Sequence, residues 1–327
     1  MALLTRLFYS QLPVWARPTH PMMRYALGYR KLTLRDTLLR LLVAILGIGV
    51  IVGAGYFYTQ QTSDSNTITY REFMFYPLAL LQLLAEILAL ALTVNSVALE
   101  RQKGTWESLQ VSLVGAATAV RTRWALVFYK LRWVLAAIVL GRLVYIGYLL
   151  DDMTDFEGRA IDVRIIGISP EVTLEVAVFL LTALITAALL LPFVAIALDA
   201  AVGMVVATLT QRRSAGVLTT LVLVGGRVLI TGSALFLGDS ILGPNGTKPE
   251  VVDMSTAEGW GRTLLLTLQG DLGLRLLNLE TLGNLWSDLE NGIYIGGVVL
   301  VGVILMAMIA NGLVLFAAWR AAKPAKS

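Results

Sequence analysis

Six long apolar runs, each sufficient to cross a lipid bilayer as a helix, constrain this chain more than any other feature. A helix needs about 20 apolar residues to cross the hydrocarbon layer. The runs cover residues 38–58, 75–99, 133–150, 174–209, 215–237 and 293–319. Because backbone groups in lipid must be hydrogen-bonded within the segment, we predict helices rather than open strands. The predicted fold class is all-α, a polytopic membrane protein with six transmembrane helices.

The composition is typical of a membrane fold and excludes several kinds of site. Of the 327 residues, 57% are hydrophobic and only 15% are charged, whereas a soluble chain of this length would need more polar surface. The sequence has no cysteine and a single histidine, His20. This excludes thiol catalysis and argues against a metal site built on histidine or cysteine. We therefore expect no metal and no cofactor on this chain.

Basic and acidic residues alternate from one loop to the next, and this alternation sets the predicted orientation. Lys and Arg are concentrated before the first run, after the second, after the fourth and after the sixth, where a basic tail covers residues 321–327. The remaining loops are mainly acidic. Because short loops rich in Lys and Arg stay in the cytoplasm, both chain ends are predicted to be cytoplasmic. The expected location is the plasma or inner membrane of a prokaryotic cell.

Two regions outside the runs have patterns of their own. Residues 1–35 are basic and place apolar side chains on one helical face, which favours an amphipathic elbow helix in the cytoplasmic headgroup layer. A basic leader that only sets the topology is the alternative. Residues 239–292 form a leucine-rich external segment that we expect to lie on the outer leaflet or to dip into it. Gly270, Asp271 and Arg275 interrupt this segment, so it is not expected to span as one helix.

The cytoplasmic loop 100–130, after the second run, carries the strongest local motif. It begins with the letters ERQKGTWESL. Gly104 is suited to end the helix that leaves the membrane, and Thr105 is suited to cap a new short helix with Glu107 in its first turn. Such a helix beneath a membrane bundle favours docking onto a soluble partner. A polar connector whose Trp106 is anchored in the headgroups is the alternative.

The pattern Glu-Arg-x-x-Gly-Thr-x-Glu-x-Leu after a second span resembles the signature of permease subunits of ABC exporters of the second type. The resemblance covers most of the chain, from a basic elbow through six spans with an external segment before the last. Two features depart from the family: a proline and a small polar residue are missing after Leu109, and only Lys130 remains of a Gly-Lys pair before span three. The residues assigned to partner coupling are Glu100, Arg101, Gly104, Thr105, Trp106, Glu107 and Leu109.

The resemblance implies a permease half that binds a separate ATP-binding subunit through this loop and pairs with a second half, identical or different. The chain has no G-x-x-x-x-G-K-[ST] loop, so we predict that it is not an enzyme and that ATP is bound by the partner. Lipids, hydrophobic drugs and glycans are the substrate classes implied, with export as the direction. No nucleic-acid motif is present, and membrane lipid surrounds the chain. A non-transporting scaffold or accessory subunit of a larger membrane complex is the alternative.

Four charged residues lie inside the predicted spans. Glu86 in the second span and Arg142 in the third lie at a similar depth, as do Asp199 in the fourth and Arg227 in the fifth. An unpaired charge at the bilayer centre costs about 2.5–3.5 kcal/mol on insertion scales, so we predict that these residues pair within the helix bundle. The functional alternative is that one or more of them line a polar translocation path.

Overall fold

The fold is known from a computed structural model, which is helical without strands wherever it is described. The described residues are 12–27, 70–102, 104, 106, 109, 115–168, 170–210, 213–242, 256–288 and 291–323. The predicted first span at 38–58 lies outside them, as do residues 1–11 and 28–35 of the predicted elbow. The chain divides into two compact units, Met1–Leu81 and Gln82–Ser327. The predicted all-α class is confirmed for this part of the chain.

Long helices dominate the second unit, and shorter ones lie between them. In chain order the helices are α1 (Pro21–Leu27), α2 (Tyr70–Val94), α3 (Ser96–Gln102), α4 (Gly115–Asp152), α5 (Asp155–Gly158), α6 (Ala160–Ile165), α7 (Leu174–Leu209), α8 (Arg213–Leu242), α9 (Ala257–Gln269), α10 (Leu272–Arg275), α11 (Leu279–Asp288) and α12 (Ile295–Ala322). Single 3-10 turns occupy Val14–Ala16 and Gly292–Tyr294.

Five helical segments of the described residues are long and apolar enough to cross a membrane. They are Phe75–Ala98, Gly115–Asp152, Leu174–Leu209, Ser214–Leu237 and Gly292–Ala322. They correspond to the predicted runs two to six, and they make the chain a membrane protein. Helix α4 begins well before residue 133, where the third run was predicted to start. The basic residues of its first turns lower the local hydropathy without breaking the helix, so a hydropathy argument misses them.

Helices α7 and α12 pack against each other along much of their length. Small residues make this possible, because they allow two helix backbones to approach closely. At Gly296 the approach is closest, and a Cβ atom there would lie 2.1 Å from the carbonyl oxygen of Leu180. No side chain can occupy that position unless the α7 backbone moves.

One end of the bundle gathers the segments that the sequence predicts to be cytoplasmic. It is formed by α3, the first turns of α4 and α8 and the last turns of α7 and α12, and we call it the basic end. Val97, Ala116, Met204 and Ala317 share a single apolar cluster there. The start of α8 is joined to it by a hydrogen bond from Asn95 Nδ2 to Thr220 Oγ1, at 3.4 Å.

The described part of the predicted external segment folds back among the spans. We call residues 256–288, which contain α9, α10 and α11, the re-entrant segment. Leu264 and Leu268 of α9 lie against Gly302 of α12, and Gly270 lies against Ala234 of α8. Its fully buried side chains include Leu266, Leu274, Leu277, Leu282 and Trp286. One apolar face of the segment is therefore packed into the bundle, and its interruption at Gly270 forms the turn between α9 and α10.

Candidate functional site

Five charged side chains are buried in the middle of the bundle, although each would be costly there alone. They are Glu86 on α2, Arg142 on α4, Asp199 on α7, Arg227 on α8 and Asp271 in the turn between α9 and α10. Together with two glutamines they form one connected set of polar contacts, which we call the interior network. Buried charges of this kind are tolerated when they are paired and hydrogen-bonded.

Arg227 is the centre of one half of the interior network. Its Nε and Nη2 atoms both donate to Glu86 Oε2, at 2.9 and 2.6 Å. Its Nη1 atom donates to the side-chain oxygen of Gln269, at the end of α9. Asp199 Oδ2 lies 3.3 Å from Arg227 Nε, close enough for an ion pair. One guanidinium thus connects α2, α7, α8 and the re-entrant segment.

Arg142 is the centre of the other half. Its Nη2 atom donates to Asp271 Oδ2 and, at 2.6 Å, to the side-chain oxygen of Gln82. Gln82 in turn donates to Glu86 Oε1 at 3.2 Å, which joins the two halves. The Nη1 atom of Arg142 donates to the carbonyl oxygen of Ala188 on α7.

The acceptor on Ala188 is available because of a proline one helical turn later. In a regular α-helix the carbonyl of Ala188 would accept from the backbone N–H of residue 192, but Pro192 has no N–H. Pro192 nevertheless lies inside the continuous helix α7. In lipid the freed carbonyl needs another donor, and the Arg142 guanidinium supplies it. The sequence thus pairs a helix-interrupting residue on one span with a charged donor on the next.

The pairing differs in part from the prediction made from depth alone. Asp199 and Arg227 do lie together. Glu86, however, is paired with Arg227, and the side chain of Gln82 lies between Glu86 and Arg142. Depth along a span identifies which charges are at the same level, but the rotation of each helix decides which of them meet.

Three members of the interior network were not identified from the sequence as site residues. Gln82 and Gln269 are polar residues in apolar helices, and Asp271 was counted among the external acids. The sequence feature that could have pointed to Asp271 is its position, with Gly270, at a break in a leucine-rich stretch. Asp271 has a φ of 56°, a left-handed conformation that aspartate adopts more readily than most residues. This conformation makes the turn between α9 and α10 and brings the carboxylate to Arg142.

The predicted coupling loop begins at the basic end, where its first residues are held to α4. Glu100 Oε1 accepts a hydrogen bond from Arg123 Nη2, and Arg123 Nη1 donates to the carbonyl oxygen of Ser96 at 2.7 Å. Gly104 follows α3 with a φ of 69°, as expected for a glycine that ends a helix. Thr105 and Glu107 lie outside the described residues, and so does the side chain of Arg101.

Trp106 connects the coupling loop to the bundle. Its side chain is only 2% exposed and lies in a cluster with residues of four helices, and Leu109 packs against that cluster. The cluster consists of Val97, Trp106, Ala116, Val120, Met204, Ala207, Ala317, Ala318 and Ala321. The sequence analysis assigned Trp106 and Leu109 to partner coupling. In the structure the indole is buried in a cluster shared with the ends of α3, α4, α7 and α12.

Comparisons with models of protein families, with curated proteins and with solved structures found no match. Among the described residues no group of three or more His, Asp or Glu side chains is arranged to hold a metal ion. The two features available for a functional argument are therefore the interior network and the coupling loop at the basic end.

Proposed function

We propose that this chain is the membrane-spanning permease subunit of an ATP-driven exporter of the second ABC type. A separate ATPase subunit binds the loop after the second span, and two permease halves form the translocation path between them. The substrates are lipids, hydrophobic drugs or glycans. The proposal includes a first span at 38–58, an elbow in residues 1–35 and a basic end that faces the cytoplasm of a prokaryotic cell.

The observation that carries this proposal is the burial of Trp106 among the ends of four helices. A permease must convert movement of an external ATPase into rearrangement of its spans. A loop held only by its two chain connections would transmit little force. Because the indole is buried in one cluster with the last turns of α7 and α12, a displacement of the loop can reach two spans that are not adjacent to it in sequence.

The contact between Glu100 and Arg123 supports the same proposal. It ties the first residue of the motif to α4, the span that follows the loop. The loop is thus held at its start by this ion pair and after Gly104 by Trp106. The exposed residues between these two attachments, Gln102 and Gly104, are available to a soluble partner.

Site-specific photo-crosslinking in native membranes tests the proposal. A photoreactive amino acid at Gln102, which is exposed at the basic end, should crosslink to a protein that carries a nucleotide-binding loop. The matched control is the same substitution at Ser287, an exposed residue of α11 in the re-entrant segment, which should give no such product. Crosslinking of Gln102 to a large complex without an ATPase would contradict the permease proposal and favour the scaffold alternative.

A further inference from the structure

The charges inside the bundle do not balance. The interior network contains three carboxyl groups, from Glu86, Asp199 and Asp271, but only two guanidinium groups. The five described spans contain no further Lys or Arg at this level. Among the described residues, one buried carboxyl group is therefore in excess.

Two of the three carboxyl groups each have a guanidinium partner. Asp271 accepts a hydrogen bond from Arg142, and Glu86 accepts two from Arg227. The third guanidinium nitrogen of Arg227, Nη1, donates to Gln269. This leaves Asp199, whose Oδ2 atom is buried and accepts no hydrogen bond although Arg227 Nε lies 3.3 Å away.

Few charged groups face Asp199, which is 7% exposed. Glu86 faces it from α2 and Arg227 faces it from α8. Arg142 on α4 and Asp271 beside α10 belong to the other half of the network and pair with each other. Helix α12 contains no titratable residue between Ile295 and Ala318, and Tyr294 lies just before its first residue. The position therefore combines an unmatched carboxyl group with a second acid close by.

We propose that Asp199 holds a proton in the resting protein, so that the interior network is a proton-binding site. An ionised Asp199 would be an uncompensated negative charge next to Glu86 in an apolar interior, which is strongly unfavourable. The neutral acid removes that charge and leaves two matched ion pairs. A metal cation is a poor alternative, because the unpartnered oxygen lies 3.3 Å from the Arg227 guanidinium.

The proposal does not depend on the assigned transport function. Its consequence is that any rearrangement that separates α7 from α8 and admits water changes the protonation of Asp199. The bundle would then release one proton when the network opens and take it up from water when the network closes.

Infrared spectroscopy of the full-length protein in lipid nanodiscs tests the proton directly. At neutral pH the wild-type protein should show the carbonyl band of a protonated carboxyl group, and this band should shift when H₂O is exchanged for D₂O. Asp199→Asn should lose the band. The variant should still fold, because asparagine has the shape and the neutrality of protonated aspartate. Asp271→Asn, the matched control, should keep the band if it is folded.

Two spectroscopic results would overturn the proposal. Absence of the band from the wild-type protein would mean that all three carboxyl groups are ionised. Persistence of the full band in Asp199→Asn would assign the proton to a different carboxyl group.

The pH dependence of thermal unfolding gives a second and independent test. The folded protein would hold one proton more than the unfolded chain above about pH 4, the ordinary pKa of an aspartate, so stability should fall as the pH rises above that value. Asp199→Asn should lose this part of the dependence. Identical pH profiles for the two proteins would contradict the proposal. Stabilisation of the wild type by sodium or potassium ions, lost in Asp199→Asn, would also contradict it.

Discussion

Helices α7 and α8 follow each other in the chain, but they are held in the bundle in different ways. In the most apolar stretch of α7, 56% of the residues are buried inside the protein, against 17% for α8. Helix α7 packs on α12, α4 and α2 through alanine and glycine. The outward faces of α8 consist of large apolar side chains, and its attachments to the described residues include Arg227, Thr220 and the contact with α9.

The difference shows what can hold a helix in lipid. Apolar side chains gain little from leaving a solvent that is as apolar as they are, so association depends on close packing and on polar contacts. Helix α7 uses close packing. Helix α8 is less buried, and its Arg227 makes the ion pairs with α2 and α7. Substitutions that add volume should therefore destabilise the contacts of α7 most, and substitutions that remove charge should destabilise the contacts of α8 most.

The largest effect is expected for Arg227→Gln. It would remove the guanidinium that lies beside Glu86 and Asp199, and breaking a buried ion pair from one side costs about 3–5 kcal/mol. We expect the detergent-solubilised variant to lose its monodisperse peak at a lower temperature than the wild type. The peak is measured by size-exclusion chromatography after heating. Arg262→Gln is the control, because this exposed arginine pairs with Glu258, one turn away on the same helix. Equal heat resistance of the two variants would show that α8 does not depend on Arg227.

Arg142→Gln and Glu86→Gln should each reduce the yield of folded protein by a smaller amount, about 2–3 kcal/mol of stability. Each substitution leaves a partner charge in the interior, but glutamine retains some of the hydrogen bonds. The yield of folded protein can be measured by fusing a fluorescent protein to the chain and recording the fluorescence of the monodisperse peak in size-exclusion chromatography. If both variants insert and purify as well as the wild type, the structural role of the interior network is wrong.

A glycine substitution tests the close packing of α7. Gly296→Ala should cost about 1–3 kcal/mol, since the added methyl group meets the backbone of α7 at Leu180. Gly312→Ala on the same helix has open space around it and should be neutral or slightly stabilising. The two melting temperatures in one detergent give the comparison. Similar values would mean that α7 and α12 are farther apart than described.

The smallest effect is expected at Pro192. Replacement of a proline inside a helix by alanine would ordinarily be stabilising, since it restores a backbone hydrogen bond. Here the restored bond would share the Ala188 carbonyl with Arg142. We expect Pro192→Ala to stabilise the Arg142→Gln variant by about 1 kcal/mol more than it stabilises the wild type. A double-mutant cycle on melting temperatures measures this difference, and strict additivity would contradict the link.

The sequence was sufficient to predict the long helices of the described chain. Runs two to six were located because a membrane span requires a minimum length of apolar residues, which is a local property. The helical stretch of α4 before residue 133 was not predicted, because its basic first turns, around Arg121 and Arg123, resemble a loop in composition. Ala116 and Val120 of these turns pack with residues from distant parts of the chain, which no local window contains.

The interior network could be predicted only in part. An intramembrane charge predicts a partner. Glu86 and Arg142 each have one, and Arg227 lies between two acids, Glu86 and Asp199. The identity of the partner depends on helix rotation and on the order of neighbours around the bundle. Asp271 could not be assigned, because its position at the level of Arg142 depends on α9 and α10 folding inward between the spans.

The central claim is that the basic end and the re-entrant segment open to opposite sides of one membrane. The natural absence of cysteine allows a direct test with single cysteines at Gln102 and Ser287, both exposed. A membrane-impermeant maleimide should label Ser287→Cys in intact cells and Gln102→Cys only after the membrane is permeabilised. Labelling of both positions in intact cells, or of neither until permeabilisation, would contradict the account.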